Sequence, residues 1–141
     1  MAQNWAFWAF LSACFAALTA IFGKIGVAGV NSDLATLIRT VVILAVIAAI
    51  VFALGQWQPL SSIGAKTWLF LVLSGLATGA SWLAYYRALK LGEASQVAPV
   101  DKLSVVMVAI FGVVFLGETL SAIHWLAIGM IAAGAVMLAV F

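Results

Sequence analysis

Residues 34–54 read LATLIRTVVILAVIAAIVFAL, an apolar run whose one charged residue is Arg39. A helix that crosses a bilayer needs roughly 20 mostly apolar residues, and this stretch supplies them without the apolar–polar alternation of a β-barrel strand. Dividing the rest of the chain at its charges and turn formers gives further runs of the same kind. The first extends from about Asn4 to Phe22 and stops at Gly23-Lys24, before a loop ending in Asn31-Ser32-Asp33, which can cap the next helix. Beyond Gln56-Trp57-Gln58-Pro59 a third covers about Lys66 to Leu91, closed by Gly92, where a left-handed C-cap is expected. The fourth covers about Ser95 to Leu116, Gly117-Glu118-Thr119 makes a tight turn, and the fifth runs from about Ser121 to Phe141. The expectation is one all-α integral-membrane domain over residues 1–141, with five transmembrane helices.

Composition excludes the alternatives. Of 141 residues, 67% are hydrophobic and 7% charged, where soluble domains average about 45–50% and about 25%. Six Lys and Arg with four Asp and Glu cannot coat a soluble domain of this size. The net charge of +2 comes from basic residues scattered singly, with no cluster to neutralise successive phosphates, so nucleic acid is not a partner. Cys14 is the lone cysteine and His124 the lone histidine, which leaves no disulfide and no metal-ligand spacing. No nucleophile, base and acid announce a catalytic trio, so neither an enzyme nor a cofactor is expected. The first run lacks a positive n-region and an Ala-x-Ala site, and reads as a retained helix rather than a signal peptide. Small residues at four-residue spacing, at Ala9, Ala13 and Ala17, at Gly75 and Gly79, and at Gly129 and Ala133, are expected to form helix seams within or between protomers.

Five spans would put the N-terminus with the 2–3 and 4–5 loops on one side of the membrane. Trp5, Trp8, Trp57, Trp68 and Trp125 fall there, as an interfacial belt would, with Lys66 as the basic residue. Lys24, Arg39, Arg87, Lys90 and Lys102 lie toward the other side. The positive-inside rule then places the N-terminus outside and the C-terminus in the cytoplasm.

The charges within the spans are the candidates for function. Leu103 to Gly117 is free of charge and covers about 22 Å at 1.5 Å per residue, short of a hydrocarbon core of about 30 Å. Asp101 and Lys102 are therefore drawn into the membrane or its edge. Asp101 is either a proton or cation site facing a cavity, or a headgroup-level carboxylate paired with Lys102 or Lys90 while Lys102 snorkels. Arg39 needs carbonyls, a carboxylate or water. Asp101 is the natural suspect, giving a structural clamp between the second and fourth helices; the other reading is a gate or an anion-binding group. Trp82 and Tyr86 share a helix face, with Lys90 a turn further on, and could wall an organic substrate by stacking or cation–π contact. Membership of the aromatic belt is the alternative, and suits Tyr85 better than the deeper Trp82. Pro99 fits the first turn of a helix, Glu118 a capping role in its turn, and His124, beside Trp125, the interface.

The order of motifs has a likeness. Phe22-Gly23-Lys24, then Ala35-Thr36-Leu37-Ile38-Arg39, then Tyr85-Tyr86-Arg87-Ala88-Leu89-Lys90-Leu91-Gly92-Glu93-Ala94-Ser95 leading to Val97-Ala98-Pro99, and finally Phe115-Leu116-Gly117-Glu118-Thr119-Leu120-Ser121 with Trp125, Gly129 and Gly134, resemble the EamA domain of the drug/metabolite transporter superfamily over nearly the whole chain. Well-known members carry two five-helix units in opposite orientation around a substrate path, so this chain looks like one unit alone. The resemblance implies pairing with a second copy, antiparallel or parallel, or with a related membrane protein, in a bacterial-type inner membrane. The leading expectation is export of a small organic metabolite or drug-like solute by alternating access, with Asp101, read from its place in the span, as the proton carrier if transport is proton-coupled. Arg39, Trp82, Tyr86, Asp101 and Lys102 would line or close the path, and Lys24, Pro99 and Glu118 would serve as gate or structural residues. Asp101-Lys102 departs from the apolar or small residues that follow the Pro99 position in many EamA helices. A non-transporting membrane subunit that stabilises a larger complex through its small-residue seams is the alternative of another class.

Overall fold

A computed structural model describes residues 4–140, so the helix end expected at Phe141 lies outside the described residues. The elements are α1 (Trp5–Val27), α2 (Ser32–Ala53), a 3₁₀ turn (Leu60–Ser62), α3 (Ala65–Leu91), α4 (Ala94–Asp101), α5 (Ser104–Leu116) and α6 (Ala122–Val140), with no strand among the described residues. Counting Ala94–Leu116 as one span, five helices are long and apolar enough to cross a membrane.

Local chemistry sets the helix ends. Asn31 has extended backbone, and its side chain accepts from the amides of Asp33 and Leu34 at 2.8 and 3.3 Å, the capping arrangement expected of Asn31-Ser32-Asp33. Asp33, in the first turn, also faces the positive end of the helix dipole. Three boundaries differ from the sequence expectation. The first helix does not stop at Gly23-Lys24 but runs on to Val27. Gly23 is a close-approach residue: a Cβ there would stand 3.2 Å from both Leu89 Cδ1 and the Tyr86 hydroxyl. The left-handed glycines are Gly55 (φ 62°) and Gly117 (φ 69°), not Gly92. At Gly117 the turn lets the amides of Gly117 and Glu118 both donate to the Gly112 carbonyl and so close α5.

The third difference divides the fourth span. Pro99 lies inside α4 rather than in its first turn, and removes an amide from the helical ladder. Two residues later the backbone tightens: the amides of Lys102 and Leu103 donate to the carbonyls of Pro99 and Val100, each at 3.0 Å, and Val105 donates to Lys102 at 2.9 Å. These are three-residue closures, which break the span into α4 and α5 at the Asp101-Lys102 pair.

The chain forms two compact units. One holds α1 up to Phe22 together with α4, α5 and α6; the other is Gly23–Lys90. In the first, α6 packs on both α4 and α5. Gly112 is buried there, and a Cβ on it would meet the Glu118 carboxylate. In the second unit Val27, Thr36, Tyr86 and Leu89 are buried. Elsewhere large apolar side chains are exposed along every span, as suits a chain whose solvent is hydrocarbon.

Candidate functional site

The Gly23–Lys90 unit holds the densest set of candidates. On α2, Thr40, Ile43 and Ile47 recur at helical spacing, and on α3 Gly75, Gly79 and Trp82 do the same. Between these two faces lies an open groove of about 460 Å³. Its apolar wall includes Leu44 and Leu71, and its polar groups include Ser74 and Thr78. Thr40 and Thr78 donate their hydroxyl protons to the carbonyls one turn back, Thr36 and Ser74, each at 2.8 Å, so both oxygens keep lone pairs to offer.

Arg39, immediately before Thr40, brings a charge beside this groove. Its guanidinium carbon sits 4.1 Å from the Trp82 ring centroid and 5.3 Å from that of Tyr86. The sequence pairing of Trp82 with Tyr86 on one face is thus realised, with Arg39 laid against both. The carboxylate suspected as the partner of Arg39, Asp101, has Lys102 as its ion-pair partner at 3.2 Å. A stacked guanidinium keeps its charge and its N–H edge, because a ring face supplies no acceptor for the planar fork.

At one end of the same unit three further cations tie loops and helix ends together. Arg87 grips Asp33 in a two-point bridge, Nε to Oδ1 at 3.1 Å and Nη2 to Oδ2 at 2.8 Å, joining the end of α3 to the start of α2. Lys90 donates to the Val30 carbonyl at 2.6 Å. Lys24 donates to the Leu89 carbonyl at 2.9 Å, satisfying an acceptor in the last turn of α3. Lys24, singled out as a gate or structural residue, is therefore tied to α3. Asp33 and Arg87 form the bridge that the sequence reading missed: each sits at a helix end where a solvated charge is ordinary, and only the fold reveals the match.

The other candidates lie in the unit that holds α4, α5 and α6. Asp101 and Lys102 are neighbours at the α4–α5 break. Pro99 is two residues before them, inside α4. Glu118 follows the left-handed Gly117, with its carboxylate over Gly112. His124 Nδ1 meets the Ser121 amide at 3.3 Å and the Ser121 hydroxyl at 2.9 Å, so the ring closes the first turn of α6. The glycines of the small-residue stripes make no close approach inside their own units, since a Cβ at Gly75, Gly79 or Gly129 would meet nothing within 4 Å there. Gly23 and Gly112, which do approach other groups closely, belong to no stripe. Among the described residues no group of His, Cys, Asp and Glu could hold a metal ion.

Known proteins give the same direction as this architecture. No solved structure matches the chain. The chain is 72% identical, over 141 residues and the full length of both proteins, to one from Sinorhizobium sp. described as "Uncharacterized transporter in cobO 3'region". The pattern of the EamA-like transporter family matches residues 3–140. Five apolar spans, a groove beside an intramembrane arginine and this near end-to-end match converge on one conclusion: the chain belongs to the EamA-like transporter family, as a multi-pass membrane transporter of the length of a single repeat.

Proposed function

We propose that this transporter exports a small organic metabolite or drug-like solute by alternating access, working as a pair of copies with the α2–α3 groove as part of the path. The observation that carries the reading is the groove itself: about 460 Å³, lined by apolar side chains with a few hydroxyls, and flanked by a guanidinium on two aromatic rings. Small-molecule sites have this size and this mixture. The Asp33–Arg87 bridge at one end of the unit supplies the closure: while it holds the start of α2 to the end of α3, solute reaches the groove from elsewhere. Breaking the bridge would admit solute past Trp82 and Tyr86, which is the alternation such a carrier needs.

Asp101 is the proposed proton carrier. Its place at a helix break supports this, because backbone groups freed at such a point serve ion sites in transporters. The proposed setting is a bacterial-type inner membrane, N-terminus outside. The test is counterflow of labelled candidate solutes in proteoliposomes, with and without a pH gradient. Saturable exchange by the wild type, lost in Asp101→Asn at unchanged protein yield, is the expected result. Proton flux that is the same with and without every candidate solute would remove the coupling, and absence of exchange for all of them would remove the export reading.

A further inference from the structure

Arg39 sits within a membrane-spanning helix, about 10 Å along its axis from the first residue of α2. A guanidinium does not deprotonate in a protein, so its charge must be met at that depth. Within the Gly23–Lys90 unit it makes no ion pair and no hydrogen bond; its neighbours there are the ring faces of Trp82 and Tyr86, at 4.1 and 5.3 Å. Ring quadrupoles attract a cation without neutralising it, which leaves the N–H fork unspent. Trp82 belongs to the wall of the groove, as does Thr40, the next residue after Arg39. The unspent charge therefore stands beside this groove.

The walls narrow the chemistry further. No lining residue is a carboxylate, so a cationic solute would meet Arg39 without any opposite charge. The hydroxyl protons of Thr40 and Thr78 are committed to carbonyls, whereas the Ser74 hydroxyl and the Trp82 indole N–H can donate to an acidic head group. One fixed positive charge offsets one negative charge. A dianion would carry its second charge into an apolar wall at the cost of burying an unpaired ion. Ile43, Ile47 and Leu71 offer that wall to an apolar body.

Resting on the reading of this groove as part of the path, we infer that its solute is an organic monoanion: one carboxylate, gripped by Arg39, on a compact apolar body. A planar carboxylate matches the two-point fork of a guanidinium better than any other common anionic group of single charge.

Four probes that share a benzyl group isolate the head: phenylacetate, phenylacetamide, benzylphosphonate and benzylammonium. Their dissociation constants are to be measured calorimetrically on the full chain in lipid nanodiscs at pH 8. Phenylacetate is expected to bind most tightly, about tenfold better than the amide, since a charged hydrogen-bond pair exceeds a neutral one by about that factor. Arg39→Gln should bring phenylacetate level with the amide, and Arg39→Lys, which keeps the charge but loses the fork, should fall between. The wild-type ranking stands on its own if either variant fails to fold. Equal binding of acid and amide, preference for the ammonium or the phosphonate, or no binding of any probe would overturn the inference. Counterflow with the same probes separates it from the transport reading. Phenylacetate that binds selectively but is never exchanged leaves the anion site standing and removes the groove from the path. Exchange of benzylammonium in preference to phenylacetate does the reverse.

Discussion

Gly23 and Gly26 lie on the same helix, yet their surroundings differ. A Cβ at Gly23 would crowd Leu89 and Tyr86 at 3.2 Å, while one at Gly26 would meet nothing within 4 Å. Gly23→Val is expected to lower stability by about 1–3 kcal/mol through overpacking, and Gly26→Ala to be neutral or to gain up to about 1 kcal/mol through helix propensity. Thermal unfolding of the two variants in one detergent checks both signs. Trp82→Leu should cost about 0.5–2 kcal/mol by removing a ring from under Arg39, with Trp82→Phe losing less, since Phe also offers a ring face. At this scale the sequence told that Arg39 needs a partner, because its charge inside an apolar run is plain to see. It did not tell which partner. Trp82 and Tyr86 stand over the guanidinium, and proximity between helices is written in no local spacing.

Among elements, the helix terminators divide by backbone geometry. Gly117 closes α5 at φ 69°, where an added side chain crowds the backbone. Gly117→Ala is expected to cost about 1 kcal/mol and Gly117→Asn less, whereas Gly92→Ala should carry no such penalty. Thermal unfolding again reads the difference. The Asp33–Arg87 bridge joins two elements through side chains that are 46% and 62% exposed, so it adds little to stability and its role as a closure must show in transport. Reversing one charge, as in Asp33→Arg, is expected to depress counterflow while leaving the unfolding temperature nearly unchanged. The double reversal, Asp33→Arg with Arg87→Asp, should restore counterflow. If the double variant is no better than the single, the bridge is not the closure. The five spans themselves were legible from unbroken apolar runs, and Asp101-Lys102 marked the fourth as short of charge-free length. That this shortage becomes a break, with α4 and α5 as separate helices, was not legible, because three-residue and four-residue backbone closures draw on the same residue types.

On the whole-molecule scale, the exposed apolar side chains on every span mean that lipid or a second copy must cover them. The proposed pairing predicts that two differently tagged copies co-purify from one membrane, and fails if they separate at every detergent tested. Orientation rests on charge. Lys24, Arg87 and Lys90 are joined to Leu89, Asp33 and Val30, so these three cations gather at one end of their unit. A phosphatase fused to the C-terminus should be inactive and a fluorescent protein fused there should mature, as a cytoplasmic terminus requires. The opposite pattern would invert the assignment of sides.

Two of those cations, Lys24 and Lys90, each hold a main-chain oxygen. Every residue carries such an oxygen, so no substitution at Val30 or Leu89 can delete the acceptor. A scan by alanine would therefore leave both of these acceptors in place, and a search for co-varying pairs would pass over both contacts. The pair of ties is invisible to the methods that map contacts through side chains. Lineages can vary what stands at position 30 while keeping the lysine that reaches it.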